Sequence, residues 1–178
     1  MCSSDLGNNS AYCQDELAWL DWELEGWQRD LTSWVTALLA LRRAHPVLRH
    51  RHFLEGRPAY EGGRKDLAWF RPDGNELDDH DWFARDTVTL GMYLSGDGLR
   101  ARTADGRRLR DDSFLLVVHA GAADVEVTLP PGSWAEGWAT VLDSADEQPG
   151  ATNSAHRPGD RVLLGPRSAL LLRATGGS

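Results

Sequence analysis

Residues 114–129 read FLLVVHAGAADVEVTL, and the layout of apolar residues across them decides the fold. The first half, Phe114 to Ala120, is almost unbroken in its hydrophobicity, as a central strand covered on both faces requires. The second half, Val125 to Leu129, alternates apolar and polar residues with a period of two and closes on Pro130-Pro131-Gly132. Working outward, the same texture repeats. LAWF (67–70) runs into the turn signal RPDGN, and TVTLGMYL (87–94) ends at Ser95-Gly96-Asp97-Gly98. WATVLDS (138–144), RVLLG (161–165) and SALLLRA (168–174) complete a set of about seven short strands separated by turns. That rhythm predicts an antiparallel β-sandwich rather than a βαβ fold. The polar stretch 145–160 is read as a loop of low order, and His119, inside an apolar run, as a core or edge histidine with a satisfied hydrogen bond.

Upstream the period changes. In DLTSWVTALLALRRAH (30–45), Leu31, Trp34, Val35, Leu38, Leu39 and Leu41 recur every three or four residues, the spacing of one apolar helical face. Asp30 is the predicted N-cap. Arg42, Arg43 and His45 place positive charge at the negative end of the helix dipole, and Pro46 stops the element. The chain is thus mainly β with an N-terminal helical piece. The Gly- and Pro-dense stretch 55–65 marks a boundary, giving expected domains of 1–60 and 61–178.

Composition narrows the function. The chain has 178 residues, 19 Lys and Arg against 27 Asp and Glu, and a net charge of −8. Such an acidic surface repels phosphate backbones and anionic lipid, so neither nucleic acid nor membrane is an expected partner. No apolar run approaches the ~18 residues that span a bilayer, and MCSSDLGNNS has no signal-peptide character. Cys2 and Cys13 are too few for a disulfide framework or a four-thiolate metal site, which points to a reducing cytoplasm with free thiols. A complete (β/α)8 barrel typically takes about 250 residues and does not fit.

Several clusters carry chemistry-bearing residues. Asp21, Glu23 and Glu25 alternate with aromatic and apolar residues; Asp78, Asp79 and Asp81 surround His80; Asp111 and Asp112 precede a strand. A retaining glycosidase needs two carboxyls about 5–5.5 Å apart, but neighbouring acids on polar loops are more often solvated turn residues. His50 and His52 lack further ligands at metal-site spacing, so no metal and no cofactor are expected. The richest segment is Asn8 to Trp22. Asn8, Asn9, Tyr12, Gln14, Asp15 and Trp19 combine amides, a carboxylate and aromatic rings, a palette suited to sugar hydroxyls and pyranose faces. The competing reading makes them turn formers and core tryptophans.

These residues also carry a resemblance. GNNSAYCQDELAWLDWE (7–23) resembles the GNNNAYCQDNE-type segment of bacterial glycogen debranching enzymes, isoamylase-like members of glycoside hydrolase family 13. LTSWVTALLALRRAHPVL (31–48) is similar to the last barrel helix of that family, and WFRPDGNELDDHDW (69–82) to the start of its C-terminal β-domain. DDSFLLVVHAG, VTLPPG and PRSALLLR follow in the family's order. The chain reads CQDELAW where the family has CQDNELSW, one residue shorter near Asp15, and MCSSDL matches nothing in it.

The resemblance implies the remnant of the last β/α unit of a (β/α)8 barrel followed by an antiparallel β-sandwich. It implies an α-1,6-glucosidase acting on glycogen or another branched α-glucan, with its catalytic acids on barrel strands upstream, so this chain supplies no catalytic residue and is inactive alone. Asn8, Asn9, Tyr12 and Asp15 then border the substrate cleft, with Trp19 beside them, and the partner in structure is the missing barrel portion. The alternative reading is a stand-alone carbohydrate-binding β-sandwich, which presents tryptophans on one strand face, whereas the debranching reading buries most of the eight. A third is a structural remnant without ligand.

Overall fold

The computed structural model describes residues 22–176 apart from 51, 59 and 100. Among these residues the α-helix α1 (Gly26–Ala44) precedes β1 (Leu67–Phe70), β2 (Thr89–Leu94), β3 (Phe114–His119), β4 (Val125–Thr128), β5 (Gly137–Asp143), β6 (Ala155–His156), β7 (Arg161–Leu164) and β8 (Ser168–Thr175). All strand pairs are antiparallel. They form a six-stranded sheet ordered β1-β2-β3-β8-β5-β6 and a two-stranded sheet of β4 and β7. The mainly β architecture expected from sequence is what the chain adopts.

Alternation sorts side chains between the two faces of the large sheet. Ala68, Phe70, Tyr93, Leu115, Val117, Trp138, Leu170 and Leu172 point toward Val127, Leu129, Val162 and Leu164 of the small sheet and its flank, making the main core. On the opposite face Phe114 and Leu94 meet Val47 and Leu99 in a second cluster. The near-continuous run of β3 is explained by this: Phe114 serves one core while Leu115 and Val117 serve the other. The RPDGN turn after β1 depends on Gly74, whose φ of 82° disfavours other residues and whose Cα lies against β4. An added Cβ would stand 3.0 Å from the Thr128 carbonyl oxygen. Asp73 closes the turn by accepting the Asn75 N–H at 3.0 Å.

Three sequence expectations are corrected. The helix begins a turn earlier than Asp30: Glu25 is the N-cap, in a reciprocal capping box with Gln28, whose Oε1 accepts the Glu25 N–H at 2.7 Å. Asp30 instead accepts from Gln148 Nε2 at 3.2 Å. The polar stretch 145–160 contains β6 and is tied down by Asp146, which accepts both the N–H and the hydroxyl of Thr152. Among the described tryptophans only Trp138 is fully buried, whereas Trp22, Trp27 and Trp82 are exposed. Trp22 and Trp27 stand exposed beside or on a helix none of whose residues is buried, and Trp82 lies on a short surface turn.

That helix is poorly covered, with none of its residues buried. Leu31 is 55% exposed and Leu39 56%, with Trp27, Val35 and Leu38 also open to solvent. An amphipathic helix normally turns such a stripe toward a core. Among the described residues, no helix is long and apolar enough to cross a membrane.

Candidate functional site

The residues singled out for sugar contact, Asn8, Asn9, Tyr12, Asp15 and Trp19, lie outside the described residues, as do Gln14, Cys2, Cys13 and Asp21. The remaining clusters can be followed. Asp78 accepts the N–H groups of His80 at 2.8 Å and Asp81 at 3.1 Å, and these bonds, Asp81's first, hold its carboxyl below the usual range. Asp81 in turn accepts from the Asp78 N–H and from Arg71. These acids shape a turn, as the plainer reading expected. His119 is buried, with Nδ1 2.7 Å from Thr89 Oγ1 and Nε2 2.7 Å from the Ala123 carbonyl oxygen. His50 is half-buried and its Nε2 has no partner; burial lowers its pKa, Asp66 opposes that, and His52 adds to it.

Asp111 joins the helical piece to the sheet. Its Oδ1 is 2.8 Å from His45 Nδ1 and its Oδ2 accepts the Val47 N–H at 2.9 Å. His45 packs edge-on against Phe114 at 4.8 Å. Together with Asp112 these groups bring potential ligand atoms within 4.8 Å of one another. Both Asp111 oxygens already accept hydrogen bonds, however, and Arg173 lies 3.4 Å from Asp112. The group therefore acts as a brace.

Beside the brace lies a cleft of about 280 Å³ that sequence reading did not anticipate. It opens at the end of the large sheet where β1, β3 and β5 begin and β2 and β8 finish. Arg64, Asp97, Asp112, Ser113, Trp134 and Arg173 line it, together with Asp111, Ala135 and residues 174–176. Arg64 is oriented by donating from Nε to the Ser133 carbonyl oxygen at 2.9 Å. Trp134 is fixed by edge-to-face contacts with Phe70 at 5.0 Å and Tyr93 at 5.1 Å. Gly96 permits the rim to close: a Cβ there would lie 1.8 Å from the Asp111 carbonyl oxygen. Its N–H donates to Ser113 Oγ at 3.0 Å.

Beneath the cleft, Tyr93 and Ser95 are fully buried, and neither hydroxyl reaches hydrogen-bond geometry with a partner. Burial pushes the Tyr93 phenol upward; nearby Ser113, Arg64 and Ser95 pull it back, and Asp97 adds to the rise. The cleft residues come from separate connections, so no local motif announces them. The Asp111-Asp112 pair was the one visible signal.

Residues 66–175 match the family model described as isoamylase, C-terminal. A protein of Mycobacterium tuberculosis named glycogen operon protein GlgX homolog is 37% identical over 174 residues, covering 97% of this chain and 24% of that protein. An isoamylase of a Flavobacterium species is 28% identical, covering 91% and 20%. A glycogen debranching enzyme of Serratia proteamaculans is 32% identical, covering 74% and 16%. The chain thus spans about a quarter or less of the length of these relatives. Among solved structures, a pullulanase from Anoxybacillus sp. LM18-11, complexed with maltotetraose, superposes with a TM-score of 0.50 at 14% identity, covering 90% of this chain and 18% of that one. That likeness concerns the fold.

Proposed function

The chain belongs to the isoamylase C-terminal family, and from that premise we propose that it serves as the C-terminal part of a cytoplasmic glycogen debranching enzyme. In this reading residues 1–60 close the catalytic barrel and residues 61–178 form the β-domain. The whole enzyme hydrolyses α-1,6 branches of glycogen or a related α-glucan with retention, through a glycosyl-enzyme intermediate. Its two reacting carboxyls belong to the barrel portion, while Asn8, Asn9, Tyr12, Asp15 and Trp19 form part of the cleft rim at the barrel's C-terminal face.

The observation that carries this reading is α1. Its stripe of Trp27, Leu31, Val35, Leu38 and Leu39 is open to solvent although it has the spacing of a packed helix. The brace from His45 and Val47 to Asp111 holds the end of that helix against the β-domain. A helix fixed at one end and bare along one side suits a part that completes a larger barrel. Among the described acids of the sequence clusters, Asp78, Asp81 and Asp111 are engaged in turn and brace hydrogen bonds. A stand-alone sugar-binding module is less well supported: among the described residues, the exposed tryptophans sit before or on α1 and on the surface turn Asp81–Phe83, not together on a strand face.

The test joins this chain in frame behind the barrel portion of the Mycobacterium tuberculosis relative. The hybrid is expected to release reducing ends from glycogen, and the chain alone to release none. Hydrolysis by the isolated chain, or an inactive yet folded hybrid, would overturn the reading.

A further inference from the structure

The cleft at the strand ends has a donor and acceptor set that selects its ligand by elimination. Asp97 and the Asp112–Arg173 pair stand across from Arg64, while Asp111 is committed to the brace. Acids and guanidiniums of nearly balanced number favour neither a simple anion nor a metal ion. What remains attractive is a neutral molecule rich in hydroxyls, each able to donate to a carboxylate and accept from a guanidinium. The size agrees. About 280 Å³ is near the lower end of the ~300–1,000 Å³ typical of small-molecule sites, enough for a short stretch of sugar rings. Trp134 adds an indole held rigid by Phe70 and Tyr93. Such a ring gives an apolar surface to a pyranose at little entropic cost.

The floor supplies an independent observation. Tyr93 and Ser95 are wholly buried behind Trp134, and the phenol feels Ser113 and Ser95 as hydrogen-bonding neighbours without either bond reaching good geometry. Native interiors rarely leave such groups poorly bonded. Tyr93 leans on Trp134, and its hydroxyl lies close enough to Ser113, Arg64 and Asp97, all lining the cleft, to be influenced by them. Ser113 Oγ already accepts from the Gly96 N–H, so its own proton is available toward the cleft or the phenol. Ser113 thus links the buried phenol to the cleft lining, where a ligand hydroxyl would extend the same chain.

We propose that this cleft is an auxiliary docking site for a short α-1,4-linked glucan segment; the choice of α-glucan among hydroxyl-rich ligands rests on the function proposed above. The site holds a branch-bearing chain near the enzyme without taking part in bond cleavage.

The experiment uses the purified chain and maltoheptaose in isothermal titration calorimetry, with cellohexaose as control. Binding of maltoheptaose is expected, with Asp97→Asn and Arg173→Gln each weakening it about tenfold, and with Leu163→Ser, on the exposed side of the small sheet, leaving it unchanged. Thermal unfolding curves establish that each variant is folded. Absence of maltoheptaose binding, equal affinity for cellohexaose, or binding untouched by both cleft variants overturns the proposal. The two readings fail separately. An active hybrid whose β-domain binds no maltoheptaose removes this site alone; maltoheptaose binding by a domain whose hybrid is inactive removes the debranching assignment alone.

Discussion

His45 Nδ1 and Asp111 Oδ1 stand 2.8 Å apart although 66 residues separate them in the chain. The same carboxylate accepts the N–H of fully buried Val47, so one side chain anchors the stop of α1 to the lead-in of β3. Asp111→Ala removes both bonds and leaves a buried N–H without a partner. The expected cost is about 1–3 kcal/mol, read from the urea midpoint, with Asp111→Asn retaining part of the loss. Limited proteolysis of the alanine variant should also cut sooner between Arg42 and Arg49. A variant as stable and as resistant as the parent would show that the brace is ornamental.

Trp138 and Trp82 should respond oppositely to truncation. Trp138 is fully enclosed, edge-on to Tyr93, with Nε1 donating to the Pro130 carbonyl oxygen at 3.4 Å. Trp138→Ala is expected to cost about 3–5 kcal/mol. Trp82 is half exposed and makes one edge contact with Trp69, so Trp82→Ala should cost no more than about 1 kcal/mol. Denaturant curves of the two variants decide the matter.

Burial lowers the pKa of His50 in the folded chain, with Asp66 opposing and His52 assisting. The unfolded chain therefore binds the proton more readily. Stability is complete above the ordinary histidine range, near pH 6.5, and is lost as pH falls from there toward the lower folded value. His50→Gln should flatten the pH dependence of the melting temperature in that window while leaving the curve above pH 7 nearly parallel. An unchanged slope between the two proteins would remove His50 as its source.

The bare side of α1 should make the isolated chain self-associate, since exposed apolar surface of a few hundred Å² promotes contact. Leu31→Lys with Leu39→Lys interrupts the stripe at two exposed positions. Sedimentation velocity is expected to show the parent as a mixture of larger species and the double variant shifted toward monomer. A parent that runs as one sharp monomer boundary would contradict this.

Gly96→Ala tests the rim of the cleft. The added methyl would fall 1.8 Å from the Asp111 carbonyl oxygen, forcing backbone apart rather than a flexible side chain. Destabilisation of at least about 1–3 kcal/mol is expected, measured as a fall in melting temperature.

Strands could be read in advance where one residue pattern served one burial pattern. LAWF and FLLVVH match β1 and β3 because their apolar side chains feed the two faces of a sheet flanked on both sides. The two-residue β6 was hidden, because only pairing with Trp138 and Ala139 makes Ala155 and His156 a strand. The start of α1 was missed for a different reason. Asp30 is a favoured cap by residue type, but the reciprocal Glu25 and Gln28 bonds win because they satisfy two donors at once. Arg64, Asp97, Trp134 and Arg173 converge only through the topology, so no sequence spacing could have grouped them.

Strand β8 lies between β3 and β5, in the middle of the large sheet. Until residues 168–175 have left the ribosome, the β1-β2-β3 meander and the β5-β6 ribbon have no common neighbour, and each presents a raw hydrogen-bonding edge. A nascent chain stalled or prematurely terminated just short of Ser168 would therefore be two unsealed halves, prone to capture by chaperones or by one another, and the final eight residues of the ladder act as its keystone.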